Sequence, residues 1–305
     1  MTQKLESFFN KEDVTILITD SGMGGVSIAA DIVERIKNSG IFRRARIIFF
    51  NSSFDNKSGY NKLKTNEEKV RIFNDALNSM QQNYKPDLIM IGCNTLSVIY
   101  AETSFSKQRT TPVIGIVKTG VDLILEKLSS EPQANIVIFA TPTTIAKNSH
   151  KKMLIEKGVN PEKIVGISCL ELADKIEEGY QSKETKTLVS QFVTYATAKL
   201  KDVNQPLIVS LNCTHYGYVL DMFKQEFEKQ GVYPVAILNP NPCMSNFIFQ
   251  ADKLHRFGET DTAIEIISKV AIFPDVMKSI SELVGKISPQ TVQALKNYKR
   301  DINLF

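Results

Sequence analysis

The chain has 305 residues, 43% hydrophobic and 23% charged, with 37 basic side chains against 33 acidic ones and a net charge of +4. That is enough for one large or two medium α/β domains, each with its own core. No basic run is dense enough to argue for nucleic acid, and no apolar segment reaches the ~18 residues of a membrane span. The opening MTQKLESFFNKED lacks the apolar core of a signal peptide, so a cytoplasmic protein with neither nucleic-acid nor membrane partners is expected. The four cysteines, Cys93, Cys169, Cys213 and Cys243, form no C-x-x-C, and with His150, His215 and His255 they give no zinc-type spacing. No metal is expected, and the cysteines should be free thiols in a reducing compartment. Cys169 and Cys243 read as small buried hydrophobes.

Val14 to Thr19 is an apolar, β-branched run ending in Asp20-Ser21-Gly22-Met23-Gly24-Gly25, and Val26, Ala29, Ala30, Val33 and Ile36 then recur at helical spacing. The glycines do not make a dinucleotide loop: Ser27 stands where G-x-G-x-x-G needs its last glycine, and no Walker lysine follows. Asp20 ends the strand, where backbone N–H groups of the helix start face the same crevice; simple helix capping is the bland alternative. Arg46 to Phe50 is a second strand, opening into a long polar loop from Asn51 to Asn61 of the kind that often carries function. A helix over 66–80 puts Val70, Phe73, Leu77 and Met80 on one face. Next comes Pro86-Asp87-Leu88-Ile89-Met90-Ile91-Gly92-Cys93-Asn94-Thr95, a strand delivering a thiol to its carboxyl end, with a helix beginning at Ser97.

Val113 to Val117 is a strand followed by a helix through Leu128, and Asn135 to Ala140 is another, ending at Thr141-Pro142-Thr143-Thr144. Those threonines fit either an anion contact or plain capping of the next helix. Lys163 to Ile167 is a short strand, followed by helices over 170–178 and 183–200. Pro206-Leu207-Ile208-Val209-Ser210-Leu211-Asn212-Cys213-Thr214-His215-Tyr216 then repeats the earlier pattern of proline, apolar run and thiol. A helix over 218–230 and a strand from Tyr233 to Leu238 lead to Asn239-Pro240-Asn241-Pro242. The remaining roughly 60 residues read as helical, with Ile264, Ile267 and Val270, then Ile280, Leu283, Val284 and Ile287, on apolar faces.

Strands and helices alternate throughout, which specifies a parallel-sheet α/β protein whose ligands bind at the carboxyl ends of the strands. Two thiols delivered alike in two halves point to a site between pseudo-symmetric halves. Two such groups on opposite sides of one carbon could remove a proton from one face and return one to the other. A thiol with pKa ~8.5 is close enough to neutrality to exchange the roles of acid and base.

Asp20-Ser21-Gly22-Met23-Gly24-Gly25, Cys93-Asn94-Thr95 and Cys213-Thr214-His215-Tyr216 together resemble the three signature segments of cofactor-independent glutamate racemases, in the aspartate/glutamate racemase superfamily. The resemblance covers roughly residues 14 to 240. It implies two pseudo-symmetric α/β domains with the active site in the cleft between them: 1–114 plus 226–305, and 115–225. It implies racemisation of an acidic amino acid, most simply glutamate, with no cofactor, and D-glutamate supply for a bacterial cell wall.

By the same resemblance Cys93 and Cys213 are the acid/base thiols, with Asp20 beside the first and His215 beside the second. Glu177 supports the second thiol. Ser21, Asn94, Thr95 and Thr214 hold the substrate's carboxylate and amino groups, Thr143 and Thr144 match a threonine-bearing loop, and Tyr60 matches the tyrosine of a Pro-Tyr-Gly. This chain departs from the pattern at Gly59-Tyr60-Asn61, at Ser52-Ser53 where Asp-Thr is usual, at Asn239 where aspartate is common, and in its longer tail. Aspartate racemase is the nearest alternative activity, and a non-catalytic amino-acid-binding or regulatory protein on the same fold is the alternative of another class. The partner is a small amino acid; the oligomeric state stays open, a homodimer being the assembly considered.

Overall fold

The computed structural model describes residues 3–56 and 59–305. In chain order its strands are β1 (Asp13–Asp20), β2 (Arg44–Asn51), β3 (Leu88–Ile91), β4 (Val113–Gly115), β5 (Asn135–Ala140), β6 (Ile164–Ser168), β7 (Leu207–Asn212), β8 (Ala236–Leu238), β9 (Asp261–Ser268) and β10 (Lys299–Arg300). They form two sheets, ordered β10-β9-β2-β1-β3-β4 and β6-β5-β7-β8, and every pairing is parallel. Parallel strands need long crossovers, which is why a helix separates nearly every pair along the chain.

The chain divides into two units, Met1–Gly115 with Asn241–Phe305, and Ile116–Pro240. It rejoins the first unit at Asn241, later than the expected 226. The helix Leu220–Lys229 buries Phe223 and Phe227 in the second unit's core, and β8 then pairs with β7, so both stay with the second sheet.

In the first unit β3 is Leu-Ile-Met-Ile with every residue buried, as a central parallel strand covered on both faces must be. One face packs under the helix Asn66–Tyr84, whose Phe73, Ala76, Leu77 and Met80 recur at one-turn spacing onto Leu17, Ile48, Phe50, Ile89 and Ile91. That helix starts at a capping box, Glu68 N–H donating to Thr65 Oγ1 and Thr65 N–H to the Glu68 carboxylate. In the second unit β7 is likewise buried throughout, and Phe139, Val209, Leu211, Tyr216, Phe223 and Phe227 share one cluster.

The tail corrects the sequence expectation. Residues 261–268 are not helical but form β9, which runs parallel to β2 along its full length, Arg44 opposite Asp261 to Asn51 opposite Ser268. Ile264, Ile266 and Ile267 fit a helical or an extended repeat, and pairing with the exposed edge of β2 decides for the strand. Glu265 carries ion pairs to Arg46 on one side and Lys299 on the other, tying β2, β9 and β10 together. Helices follow at Pro274–Val284 and Pro289–Lys296. A short helix at Gln3–Phe9, which the sequence pattern does not announce, inserts Phe8 against Phe42.

Candidate active site

In the first unit the polar side chains gather where β1, β2 and β3 end. Asp20 is the last residue of β1 and is buried. The turn that follows leads to the helix Val26–Lys37, with Gly25 at its N-cap. A Cβ on Gly25 would lie 2.8 Å from Asp20 Oδ2, so the glycine leaves the room that the carboxylate occupies. Gly92 N–H donates to the Thr19 carbonyl (2.9 Å), bringing the ends of β3 and β1 together. Cys93 thereby lies 3.1 Å from Ser21 Oγ through its Sγ, while Ser21 N–H donates to Asp20 Oδ1 at 2.6 Å.

Burial pushes the Cys93 thiol well above its ordinary range, and the nearby Asp20 carboxylate pushes it the same way. Ser21, through its hydroxyl and its N–H, and the Leu96 N–H work in the opposite sense. Burial thus favours the neutral thiol, while Ser21 and the Leu96 N–H are placed to support the thiolate.

Asn94 opens the helix Asn94–Ile99 and is buried, and neither its Nδ2 nor its Oδ1 has a hydrogen-bond partner among the described residues. An unpartnered amide in a buried position costs stability, and it is the kind of group a polar ligand would satisfy. Thr95 beside it is buried too. Tyr60 packs edge-on against Phe54, with ring centroids 5.4 Å apart, and belongs to the same cluster as Cys93. Its hydroxyl is buried with no hydrogen-bond partner among the described residues, held up in pKa first by burial and then by the negative charge Cys93 can carry. Gly59 and Asn61 flank it; Ser58, part of the same anticipated loop, lies outside the described residues.

In the second unit the corresponding groups gather at the ends of β5 and β7. Thr143 and Thr144 are buried in the short helix Pro142–Lys147, and Thr144 Oγ1 lies 3.0 Å from Thr141 Oγ1. After β7 come Cys213, Thr214 and His215, all buried. Cys213 Sγ lies 3.7 Å from His215 Nδ1, and His215 Nε2 lies 2.6 Å from Oε1 of Glu177, on the helix Leu172–Gly179. Burial opposes the imidazolium, but the Glu177 carboxylate and the Cys213 sulfur outweigh it and hold His215 well above its ordinary value of 6.5. The imidazole of His215 thus lies between the Glu177 carboxylate and the Cys213 sulfur, one ring nitrogen toward each.

Cys169 stays in the core, where burial pushes its thiol up, and its carbonyl accepts from Tyr216 Oη at 3.3 Å. Asp20, Ser21, Cys93, Asn94 and Tyr60 thus assemble within one unit, and Cys213, His215 and Glu177 within the other. The sequence marked Ser53 only as part of the Ser52-Ser53 departure and did not anticipate its bond to Ser21. The Ser53 hydroxyl donates to the Ser21 carbonyl at 2.6 Å, and a side-chain bond to a backbone oxygen leaves no sequence pattern.

No protein-family model matches the chain. Among curated proteins it is 28% identical over 225 residues to a glutamate racemase from Clostridium botulinum, covering 72% of this chain and 78% of that one. A glutamate racemase from Staphylococcus carnosus is 23% identical, with 69% and 72% covered. Among solved structures, glutamate racemase from Francisella tularensis, in complex with D-glutamate, superposes with a TM-score of 0.71 at 19% identity over 96% of this chain and 98% of that one. The Bacillus anthracis enzyme gives 0.70 at 18% identity over 92% and 96%. The structural likenesses show the fold that this chain shares with glutamate racemases, and in sequence the chain is similar to glutamate racemases over about 70% of its length.

Proposed function

We propose that the protein interconverts L- and D-glutamate by a two-thiol mechanism. The observation that supports this most directly is that each thiol stands at a strand's carboxyl end with its own proton-handling partners: Ser21 and Asp20 at Cys93, His215 and Glu177 at Cys213. Racemisation requires these two sets of groups to act on opposite faces of one Cα. Toward the L-isomer, Cys213 as thiolate removes the Cα proton and Cys93 as thiol delivers one from the other side; toward the D-isomer the roles reverse.

Cα of an amino acid is a very weak acid, so the carbanionic transition state needs fixed donors in a water-poor site. Asn94, Thr95 and Thr214, all buried, together with Thr143 and Thr144, are the groups assigned to the substrate's carboxylate and amino ends. The buried hydroxyl of Tyr60 is assigned to the side-chain end. After each transfer His215 resets Cys213, with Glu177 stabilising the imidazolium, while Asp20 serves Cys93. In this scheme every proton moves between groups the chain itself supplies.

The test is incubation with L- and D-glutamate, and separately with L- and D-aspartate, in heavy water. Cα deuterium and appearance of the opposite enantiomer are expected with glutamate first. Absence of both with all four substrates would sink the assignment, and a preference for aspartate would move the substrate while keeping the mechanism.

A further inference from the structure

The polar loop after β2 contains a connected set of hydrogen bonds that ends at Cys93. Buried Asn51 closes β2, and its Nδ2 donates to Ser268 Oγ (3.1 Å), the last residue of tail strand β9. The Ser268 hydroxyl is itself committed to the Val270 carbonyl at 2.8 Å, which fixes it as an acceptor for Asn51. The other end of the Asn51 amide, Oδ1, accepts Ser53 N–H at 3.0 Å. Ser53 Oγ donates to the Ser21 carbonyl at 2.6 Å, and Ser21 Oγ lies 3.1 Å from Cys93 Sγ. Alongside, Ser52 N–H donates to the Asp20 carbonyl at 2.7 Å, and Ser52 Oγ lies 2.7 Å from Thr19 Oγ1.

We propose that Ser53 is a positioning residue for the Cys93 thiol, holding the Ser21 peptide and hydroxyl in line with sulfur, and that tail strand β9 braces it through Ser268 and Asn51. Once Cys93 is a thiolate, Ser21 is the only possible donor in the Ser21–Cys93 contact. The orientation of Ser21 then sets how well the negative sulfur is stabilised. Ser53 fixes that orientation from the carbonyl side, so its loss frees rotation of Ser21 without removing any group that faces sulfur. The inference rests on Cys93 acting as a thiolate in the proposed reaction, but its test does not.

The experiment compares wild type with Ser53→Ala, Ser53→Thr and Ser268→Ala. Each is alkylated with iodoacetamide across pH, and the rate at Cys93 is read by mass spectrometry of its peptide, which separates it from the other cysteines. In Ser53→Ala the Cys93 rate at pH 8 is expected to fall by about threefold to tenfold, the profile moving up by about half to one pH unit. Ser53→Thr keeps the hydroxyl and should restore the wild-type profile, and Ser268→Ala should show a smaller shift in the same direction. Under the proposed reaction, with D-glutamate as substrate, the acidic limb of the kcat/KM profile moves up with the alkylation profile in Ser53→Ala. A Cys93 profile unchanged in Ser53→Ala, or as poor in Ser53→Thr as in Ser53→Ala, overturns the proposal. If Ser53→Ala fails to fold, an unchanged profile in Ser268→Ala overturns the tail's part and an upward shift supports it. A shifted thiol profile in a protein with no racemase activity would leave the brace standing and remove the reaction instead.

Discussion

Replacing Glu177 with Gln keeps the shape of the group that reaches His215 and removes its charge. The two lie 2.6 Å apart, with side-chain exposures of 7% for His215 and 21% for Glu177, so water screens the pair only in part. The fold contains its own control. His150 is buried, and desolvation pushes its ring down to about 4. His215 is buried to a similar degree, yet the Glu177 carboxylate and the Cys213 sulfur hold it well above 6.5. Without the carboxylate, burial should dominate and His215 should move down toward the behaviour of His150.

The stability consequence has a definite sign. A histidine whose folded pKa is raised contributes stability that is fully present below its unfolded value of about 6.5 and is lost as pH rises through the folded value. A charge-assisted bond of this kind is worth roughly 1.5–3 kcal/mol, and partial exposure of Glu177 trims it toward about 2 kcal/mol. Urea unfolding at pH 6 should therefore show Glu177→Gln less stable by about 2 kcal/mol. The gap should close as pH rises past the point where wild-type His215 loses its proton. With three histidines in the chain, ring-nitrogen NMR can follow His215 directly through the same range. Turnover should fall by about a hundredfold or more, since the proton path to Cys213 loses its counter-charge. A stability gap independent of pH, or a His215 titration unmoved by the substitution, would refute the reasoning.

Cys93→Ser and Cys213→Ser should each abolish net racemisation, because one transfer always fails. Cα exchange in heavy water should survive for the L-isomer in Cys93→Ser and for the D-isomer in Cys213→Ser. A loss of less than about a hundredfold in either, ~3 kcal/mol, is too small for a missing acid/base group. Activity should survive dialysis against chelator and treatment with hydroxylamine; a loss that pyridoxal phosphate or a divalent ion restores would overturn the all-protein mechanism. Changing Gly59→Pro together with Asn61→Gly should raise kcat/KM for glutamate relative to aspartate. An unchanged ratio would mean that the loop around Tyr60 does not select the side chain.

The site's two ends were legible to different degrees, for physical reasons. β3 and β7 are short apolar runs buried on both faces, and each ends in a cysteine, so chain order alone carries the thiols to the strand ends. Asp20 follows by the same logic from β1. Glu177 was named from resemblance, and only the fold brings it to 2.6 Å from His215, since the helix that bears it lies 38 residues earlier in the chain. Ser53 stood out only as part of the Ser52-Ser53 departure from the family pattern; its bond to Ser21 was not legible, because the partner is a carbonyl, a group every residue carries.

The tail failed for a different reason. Ile264, Ile267 and Val270 are three apart and suggest a helix, but Ile264 and Ile266, with Thr262 before them, alternate just as well. Over so short a run periodicity cannot choose, and the β-branched content is the only local hint. What chooses is the free edge of β2, whose sequence lies more than 200 residues earlier. Without β9, β2 would end the sheet with its N–H and C=O groups unpaired, an arrangement that invites non-native pairing. β9 covers that edge, and Arg46, Glu265 and Lys299 tie the pairing laterally through their side chains. The same pairing sets Ser268 opposite Asn51, so the strand that local periodicity misassigned is the one that reaches the loop beside Cys93.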